Sequence, residues 1–336
     1  MTVNRYWRLD RHPDGTDFDS ALSLQEESLG TLGEGEVRVA ADYLSMDAGT
    51  RMWMTPRTDG YQPPLPLGSA MVGLVMGRVS ASRDPRFGIG TLVRGFGQWA
   101  DQSTMLPDVA GLVAVDDDIA DPRQHLGAIG MNGWTAYVGI KEIAAVKPGD
   151  WVAVSAAAGA TGSLACQVAR NLGARVIGIA GGPEKCRYLV EQLGVEMAID
   201  YRHDDVFARL ATVDGGISAY FDNVGGPLLD AMLPNMAHYG RVAVCGMVAA
   251  YDRDGPMPGP ARFDQVLMRR LKIEGFFIPD FLHRGAEFVP VLRKWLDSGK
   301  LAVPFDQTQG LEHALNAYRR MLTGANIGKV LVALGG

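Results

Sequence analysis

Cysteine is scarce in this chain, with three residues among 336, and Cys166, Cys186 and Cys245 are scattered and odd in number. They give no disulfide framework, as expected in a reducing compartment. None stands in a C-x-x-C pair, and none of the six histidines joins a His/Cys/Asp cluster at ligand spacing, which argues against a structural zinc lobe and any other metal site. No apolar run reaches the roughly 18 residues of a membrane span. No block of Lys or Arg occurs, and a net charge of −6 with a pI near 5.5 opposes a nucleic-acid-binding surface. The opening MTVNRYWRLDRHPDG is polar and lacks the apolar region of a secretory leader. The expectation is a cytoplasmic globular protein that binds neither membrane nor nucleic acid. Its 47% hydrophobic and 21% charged residues form an ordinary globular balance, at a length sufficient for two domains.

Glycine, by contrast, is abundant, and its placement divides the chain. In the first third, GEGEVRVAADYLSMD, LPLGSAMVGLVMGRVSAS and FGIGTLVRGFGQWA read as short β segments broken by glycine. Such spacing predicts a compact β barrel. The pattern changes near residue 125. After a helical stretch, HLGAIGMNGWTAYVGIKEIA, strands are predicted at 151–155, 174–180, 196–200, 219–224, 241–246 and 272–277, with helices between them. Gly173 and Gly194 stand where two of those helices should stop. Six strands with intervening helices predict a doubly wound parallel sheet, so the fold class is α/β. The tail LEHALNAYRRMLTGANIGKVLVAL reads as helix, turn and strand, the strand returning to the first domain. The expected division assigns 1–125 and 299–336 to the barrel domain and 126–298 to the doubly wound domain. DRDGPMPGPARF (252–263) is the one Pro/Gly-rich loop.

The stretch WVAVSAAAGATGSLACQVARNLGARVIGIAGGPEKC (151–186) carries the chemistry. A dinucleotide fingerprint reads G-x-G-x-x-G, with an acid about 20 positions on. Here Ala157 replaces the first glycine. Gly159 allows close approach of a pyrophosphate, Gly162 allows tight helix–strand packing, and the helix start offers N–H groups to an anion. The second strand ends Ala180-Gly181-Gly182, without the acid that holds the ribose 2′-OH of NAD. Pro183 suits the first helical position, and Lys185 follows in the first turn. A lysine there opposes the helix dipole unless an anion binds, and the 2′-phosphate of NADP is such an anion. The cofactor is therefore read as NADP(H). The alternative keeps Lys185 as a solvated lysine and makes Glu184 the ribose acid.

Taken together, YLSMDAGTRM, GTLVRGFGQW, GMNGWTAYVGI, KPGDWVAVSAAAGATGS, GIAGGPEKC, AIDYR, YFDNVGG, CGMVAAY, IEGFF and ANIGKVLV resemble the medium-chain dehydrogenase/reductase superfamily. More narrowly, they are similar to its zinc-free branch of prostaglandin reductases, leukotriene hydroxydehydrogenases and double-bond reductases. The resemblance runs almost end to end. It implies a GroES-like barrel, a Rossmann domain, a homodimer, and NADPH-dependent reduction of the carbon–carbon double bond of α,β-unsaturated ketones and aldehydes. It also implies that Ala158, Gly159, Ala160 and Thr161 hold the pyrophosphate, and that Lys185 and Tyr201 hold the 2′-phosphate. Asn223 falls on the nicotinamide side. Cys245, Gly246, Met247 and the residues to Tyr251 line the cleft, Phe276, Phe277 and Ile278 border the nicotinamide, and Asn326 closes on the cofactor. Two departures from the family pattern, Asp47-Ala48 for Asp-Pro and GQWAD (97–101) for GWQEY, lie in the domain that shapes the substrate pocket.

Zinc alcohol dehydrogenases of the superfamily carry Gly-His-Glu near LGSAMVG (67–73), which has neither His nor Glu. Without a Lewis acid, carbonyl reduction loses its main charge stabiliser. Reduction of a conjugated double bond asks for less: hydride goes to the β-carbon, and the enolate oxygen needs prearranged donors. The phenol of Tyr251, after the fifth strand, is the candidate catalytic donor; the other reading packs it against the Pro/Gly loop. Asn223 also makes good turn chemistry without a ligand. Cys166 reads as core, and Cys245 as either core or a thiol facing electrophilic enones. Tyr43, Trp53 and Tyr61 are candidate substrate-pocket aromatics, or barrel core. Three functions stay open: an enone/alkenal reductase, a quinone oxidoreductase, and a protein that binds NADPH without turnover. KIEGFF, apolar at Ile273, Phe276 and Phe277, is the expected edge strand of a homodimer.

Overall fold

The computed structural model describes residues 3–60, 63–116, 118–251 and 257–335. It divides into two compact units, one combining Met1–Leu126 with Phe305–Gly336 and the other continuous over Gly127–Pro304.

The first unit begins with an antiparallel pair, β1 (Val3–Leu9) and β2 (Leu22–Ser28). It continues through β3 (Val37–Ser45), α1 (Thr50–Trp53), β4 (Val72–Ser82), β5 (Leu92–Gln98), β6 (Gln102–Met105), α2 (Pro107–Ala110) and β7 (Val113–Ala114). Strand β3 alternates as a half-buried strand should, with Val37, Val39 and Ala41 turned inward. It pairs with both β4 and β6, while bridges at Tyr6–Ala100 and Arg8–Ala70 attach the β1–β2 pair.

The second unit runs through α3 (Met131–Val138), β8 (Trp151–Val154), α4 (Ala160–Asn171), β9 (Arg175–Ala180), α5 (Pro183–Arg187) and β10 (Met197–Asp200). It goes on with α6 (Val206–Ala211), β11 (Ile217–Asp222), α7 (Gly226–Met232), β12 (Met236–Val244), α8 (Asp264–Arg269), β13 (Lys272–Gly275) and α9 (Gly285–Asp297). Its six strands are all parallel in the order β10-β9-β8-β11-β12-β13. That is the Rossmann order 3-2-1-4-5-6, with its switch point between β8 and β11. The central strands are buried on both faces, which explains their unbroken apolar runs. Gly173 ends α4 at φ 85°, a left-handed conformation that favours glycine. Residues 299–304 are tied to α4: Gln167 donates to the Ala302 carbonyl and accepts from its N–H, and Asn171 donates to the Lys300 carbonyl.

The chain then returns to the first unit through β14 (Phe305–Gln309), α10 (Ala314–Leu322) and β15 (Lys329–Ala333). Strand β15 inserts between β14 and β3, giving a seven-stranded sheet with the path β14-β15-β3-β4-β5-β7 and β6 beside β3. The core beneath it is aromatic. Tyr318 of α10 packs 5.1 Å from Phe18 and 5.2 Å from Trp99, ring centre to ring centre. Lys329, 1% exposed, donates to the Met46 carbonyl at 3.0 Å and to Asp47 at 2.5 Å, an ion pair buried on the lysine's side only. The chain is thus an α/β protein built from a GroES-like β unit and a doubly wound Rossmann unit.

Candidate active site

The glycine turn lies at the C-terminal end of β8. Gly159 caps α4, and a Cβ added to Gly162 would stand 2.2 Å from the Ala156 carbonyl oxygen, so only glycine fits there. The missing first glycine has a local explanation. Ala157 is fully buried and donates to the Ile179 carbonyl, while the left-handed conformation falls one residue earlier, on Ala156 at φ 47°. Ala158 is buried, and Thr161 accepts a hydrogen bond from Asn132 at 2.9 Å. The first-turn N–H groups of the twelve-residue α4 precede that helix's own ladder and suit an anion.

At the ends of β9 and β10 lies a second corner. Asp200, the acid of that corner, is turned to the main chain. Its Oδ1 accepts the N–H groups of Gly182 (2.8 Å) and Arg202 (3.0 Å), and its Oδ2 meets His203 Nδ1 at 2.8 Å. Burial works to raise its pKa, but the hydrogen bonds from Gly182, His203 and Arg202 outweigh it and hold the carboxyl below its usual range. Lys185 is half-buried. Burial first, then the charge of Arg202, lowers its pKa, while the exposed Glu184 works in the other direction. A Cβ at Gly181 would lie 2.8 Å from both Arg202 Nε and Tyr201 Oη, so those side chains flank the glycine turn, with Tyr201 half exposed. Two cations and a phenol, with Asp200 taken up by the Gly182 and Arg202 N–H groups and His203, form a donor set that suits a phosphate.

The third corner joins the ends of β11 and β12, and it is buried. Asp222 Oδ1 accepts from Tyr220 Oη (2.8 Å), Ser155 Oγ (3.2 Å) and the N–H groups of Val224 and Gly225 (both 2.9 Å). Asn223 donates through its backbone to Ser155 Oγ and through its amide to the Ser155 carbonyl at 2.7 Å. The turn chemistry of DNVGG is thus present, carried by Asp222, and Asn223 is fastened to β8. Cys245 and Gly246 donate their N–H groups to the Asp222 carbonyl. Burial, and then the charge of Asp222, pushes the Cys245 thiol up to about 12, which leaves little thiolate to meet an electrophile. Cys166 is likewise buried core, pushed up to about 12 by burial. Met247 is partly exposed and donates its N–H to Tyr251 Oη at 3.3 Å. The phenol oxygen lies 2.9 Å from where a Gly246 Cβ would be.

Phe276 and Phe277 lie past the end of β13 at Gly275 and not on an edge strand as the apolar run implied. Pro279 and a short 3-10 turn follow at once, and the Phe276 ring turns to meet Phe221 edge-on at 6.2 Å. Ile278 is buried.

The remaining candidates belong to the first unit. Tyr43 is half-buried on β3. Trp53, on α1, packs 6.1 Å from Phe96, and its Nε1 finds no acceptor among the described residues. Tyr61 lies outside the described residues, as do 252–256 of the Pro/Gly-rich loop. Asn326 is buried and donates to the Gly328 carbonyl at 2.9 Å, shaping the turn before β15. Among the described residues no three His, Cys, Asp or Glu gather as metal ligands, and no helix is long and apolar enough to cross a membrane. Sequence reasoning missed Arg202 and the Ser155–Tyr220–Asp222 network. The parallel pairing of β9 with β10 was the available signal for Arg202, because it sets residues 201–202 beside 181–182.

Comparison with known proteins follows the same two units. A family model described as the N-terminal domain of oxidoreductase matches residues 5–115, and one described as zinc-binding dehydrogenase matches 160–294. The chain is 36% identical to NADPH-dependent curcumin reductase of Escherichia coli (strain K12) over 99% of its own length and 97% of the relative's. It is 36% identical to 2-alkenal reductase (NADP(+)-dependent) of Nicotiana tabacum, over 89% and 88% of the two chains. The crystal structure of CurA in complex with NADPH from Vibrio vulnificus superposes with a TM-score of 0.92 at 34% identity, covering 99% of both chains. Despite the zinc in the second model's description, this chain belongs to the zinc-independent branch of the medium-chain dehydrogenase/reductase superfamily, that of the prostaglandin and alkenal reductases.

Proposed function

We propose that this protein is an NADPH-dependent reductase of the carbon–carbon double bond in α,β-unsaturated ketones and aldehydes. The observation that carries the reading is the pairing of a phosphate-type corner at Lys185 and Tyr201 with a phenol, Tyr251, oriented at the end of β12. The names of the relatives agree, one an NADPH-dependent reductase of curcumin and one of 2-alkenals. When bound, NADPH supplies the hydride. Ala158 to Gly162 hold its pyrophosphate, Lys185 and Tyr201 its 2′-phosphate, and Asn223, Cys245 to Met247 and Phe276 to Ile278 form the nicotinamide side. Tyr251 keeps its proton at Oη, with the Met247 N–H on its acceptor side, and would donate a hydrogen bond through it to the substrate's carbonyl oxygen as enolate charge gathers there, the α-carbon then taking a proton from water. The hydride acceptor is a polarised alkene, so no group here must ionise a strong acid or base.

The test is NADPH oxidation with an open-chain enone, chelator present and product identified. Formation of the saturated ketone is expected, and Tyr251→Phe should lower kcat about tenfold to a hundredfold with NADPH affinity unchanged. NADPH binding with the enone untouched, and quinones reduced instead, would replace this reading.

The proposal includes a cytoplasmic homodimer. Cys166, Cys186 and Cys245 are all free thiols, as a reducing compartment permits. Strand β13 is the last strand of the parallel sheet, and its Lys272 and Glu274, which pair with each other at 2.5 Å along the strand, are self-complementary about Ile273. In an antiparallel twofold pairing centred on Ile273, Lys272 of one copy faces Glu274 of the other. A monomeric mass in solution contradicts it.

A further inference from the structure

The corner beside Lys185 holds a second cation to which the expected site gives no role. Arg202 follows Tyr201 in the turn after β10. Because β10 and β9 run parallel with Asp200 level with Ala180, the segments leaving the two strands emerge side by side. One carboxylate fixes both, since Asp200 Oδ1 accepts the N–H of Gly182 from one segment and that of Arg202 from the other. The Arg202 side chain then reaches back over the glycine turn. Its Nε lies 2.8 Å from the place a Gly181 Cβ would take, and its guanidinium carbon lies 5.9 Å from the centre of the Tyr201 ring. Elsewhere in the chain Arg5, Arg57, Arg123, Arg241 and Arg284 are each engaged by carboxylates. Arg202 pairs with none among the described residues. Its charge falls instead on Lys185, a second cation, and disfavours the protonated form of that lysine.

An exposed guanidinium that pairs with no carboxylate among the described residues and whose charge falls on a neighbouring ammonium makes an arrangement that a dianion improves and a neutral diol does not. We propose that Arg202 is a specificity-determining residue of the cofactor site, and that its guanidinium and the Lys185 ammonium clamp the 2′-phosphate between them. Their geometries are complementary: the guanidinium offers a planar fork to two phosphate oxygens, and the ammonium acts as a point charge. The inference rests on the NADPH reading above and deepens it. Arg202, not Lys185 alone, makes the site reject the cofactor that lacks the phosphate.

The experiment uses the full chain and two cofactor fragments, 2′,5′-ADP and 5′-AMP, titrated calorimetrically at low and moderate salt. The wild type is expected to bind 2′,5′-ADP more tightly than 5′-AMP. Arg202→Ala should weaken 2′,5′-ADP at least tenfold while leaving 5′-AMP unchanged, and should flatten the salt dependence of the former. Arg202→Lys should restore charge without the fork and recover only part of the loss. Because the side chain is exposed, melting temperatures close to wild type are expected for both variants. If the wild type prefers 2′,5′-ADP but Arg202→Ala binds it equally well, the Arg202 assignment is overturned and the NADPH reading survives. If the wild type binds the two fragments alike, the NADPH reading falls and takes the clamp with it.

Discussion

The two ends of the parallel sheet handle polar groups in opposite ways. At the β9–β10 end, the exposed side chains of Tyr201 and Arg202 flank a glycine turn and the charge of Arg202 falls on Lys185, while the Asp200 carboxylate is taken up by the Gly182 and Arg202 N–H groups and His203. At the β11–β12 end, an anion is fully buried and saturated on one oxygen by four donors from its own unit. The first arrangement is unfavourable until something arrives, which is the signature of a binding site. The second is satisfied at Asp222 Oδ1, though Oδ2 is buried without a partner among the described residues, and it holds Asn223, Cys245 and Gly246 in place whether or not a ligand is present. Affinity and architecture are thus divided between the two ends of one sheet.

The largest expected effect comes from the buried end. Asp222→Ala orphans two main-chain N–H groups and the Tyr220 hydroxyl, and should cost about 3 kcal/mol or more in urea unfolding, with the NADPH-to-NADH preference unchanged. A variant as stable as wild type would break the comparison. Lys185→Ala is the converse. It should lower NADPH affinity at least tenfold, about 1.4 kcal/mol, while stability stays within about 0.5 kcal/mol, because burial and the charge of Arg202 both disfavour its protonated form. A large loss of stability would place Lys185 in the architecture instead. The effect that is smallest near neutral pH, and emerges only in alkali, concerns the buried thiols. The Cys166 and Cys245 thiols are raised from 9.0 to about 12 in the folded chain. Their contribution is therefore present below pH 9 and lost as pH rises toward 12, by up to about 1.4 kcal/mol per pH unit for each thiol. Cys245→Ala should reduce the alkaline slope of stability; Cys186→Ala, at the accessible end, should change it less.

The legible parts of the molecule were those whose burial is written in residue type. Strands β8 to β12 stand out because strands buried on both faces read as continuous apolar runs. The same logic overran β13, where Phe276 and Phe277 extend the apolar run beyond the last paired residue. Strand β14 was missed because Phe305–Gln309 is polar after its first residue, with neither alternation nor an apolar run to mark it. In the site, absence was informative: the acid missing after Ala180 pointed to Lys185. Arg202 escaped because its proximity to Gly181 is a property of strand pairing, and Asp222 because turn chemistry and a buried network use the same DNVGG residues.

The insertion of β15 between β14 and β3 also sets a timetable for synthesis. The Rossmann unit is continuous, so it is complete as soon as Pro304 clears the ribosome. The β unit must wait, although β3 is made long before, because the strand that lies between β14 and β3 spans Lys329–Ala333. During that interval β3 carries an unpaired rim. The nascent chain is then most exposed to wrong pairing at its oldest end, and a chaperone that shields β3 should raise the yield more than one acting on the Rossmann unit.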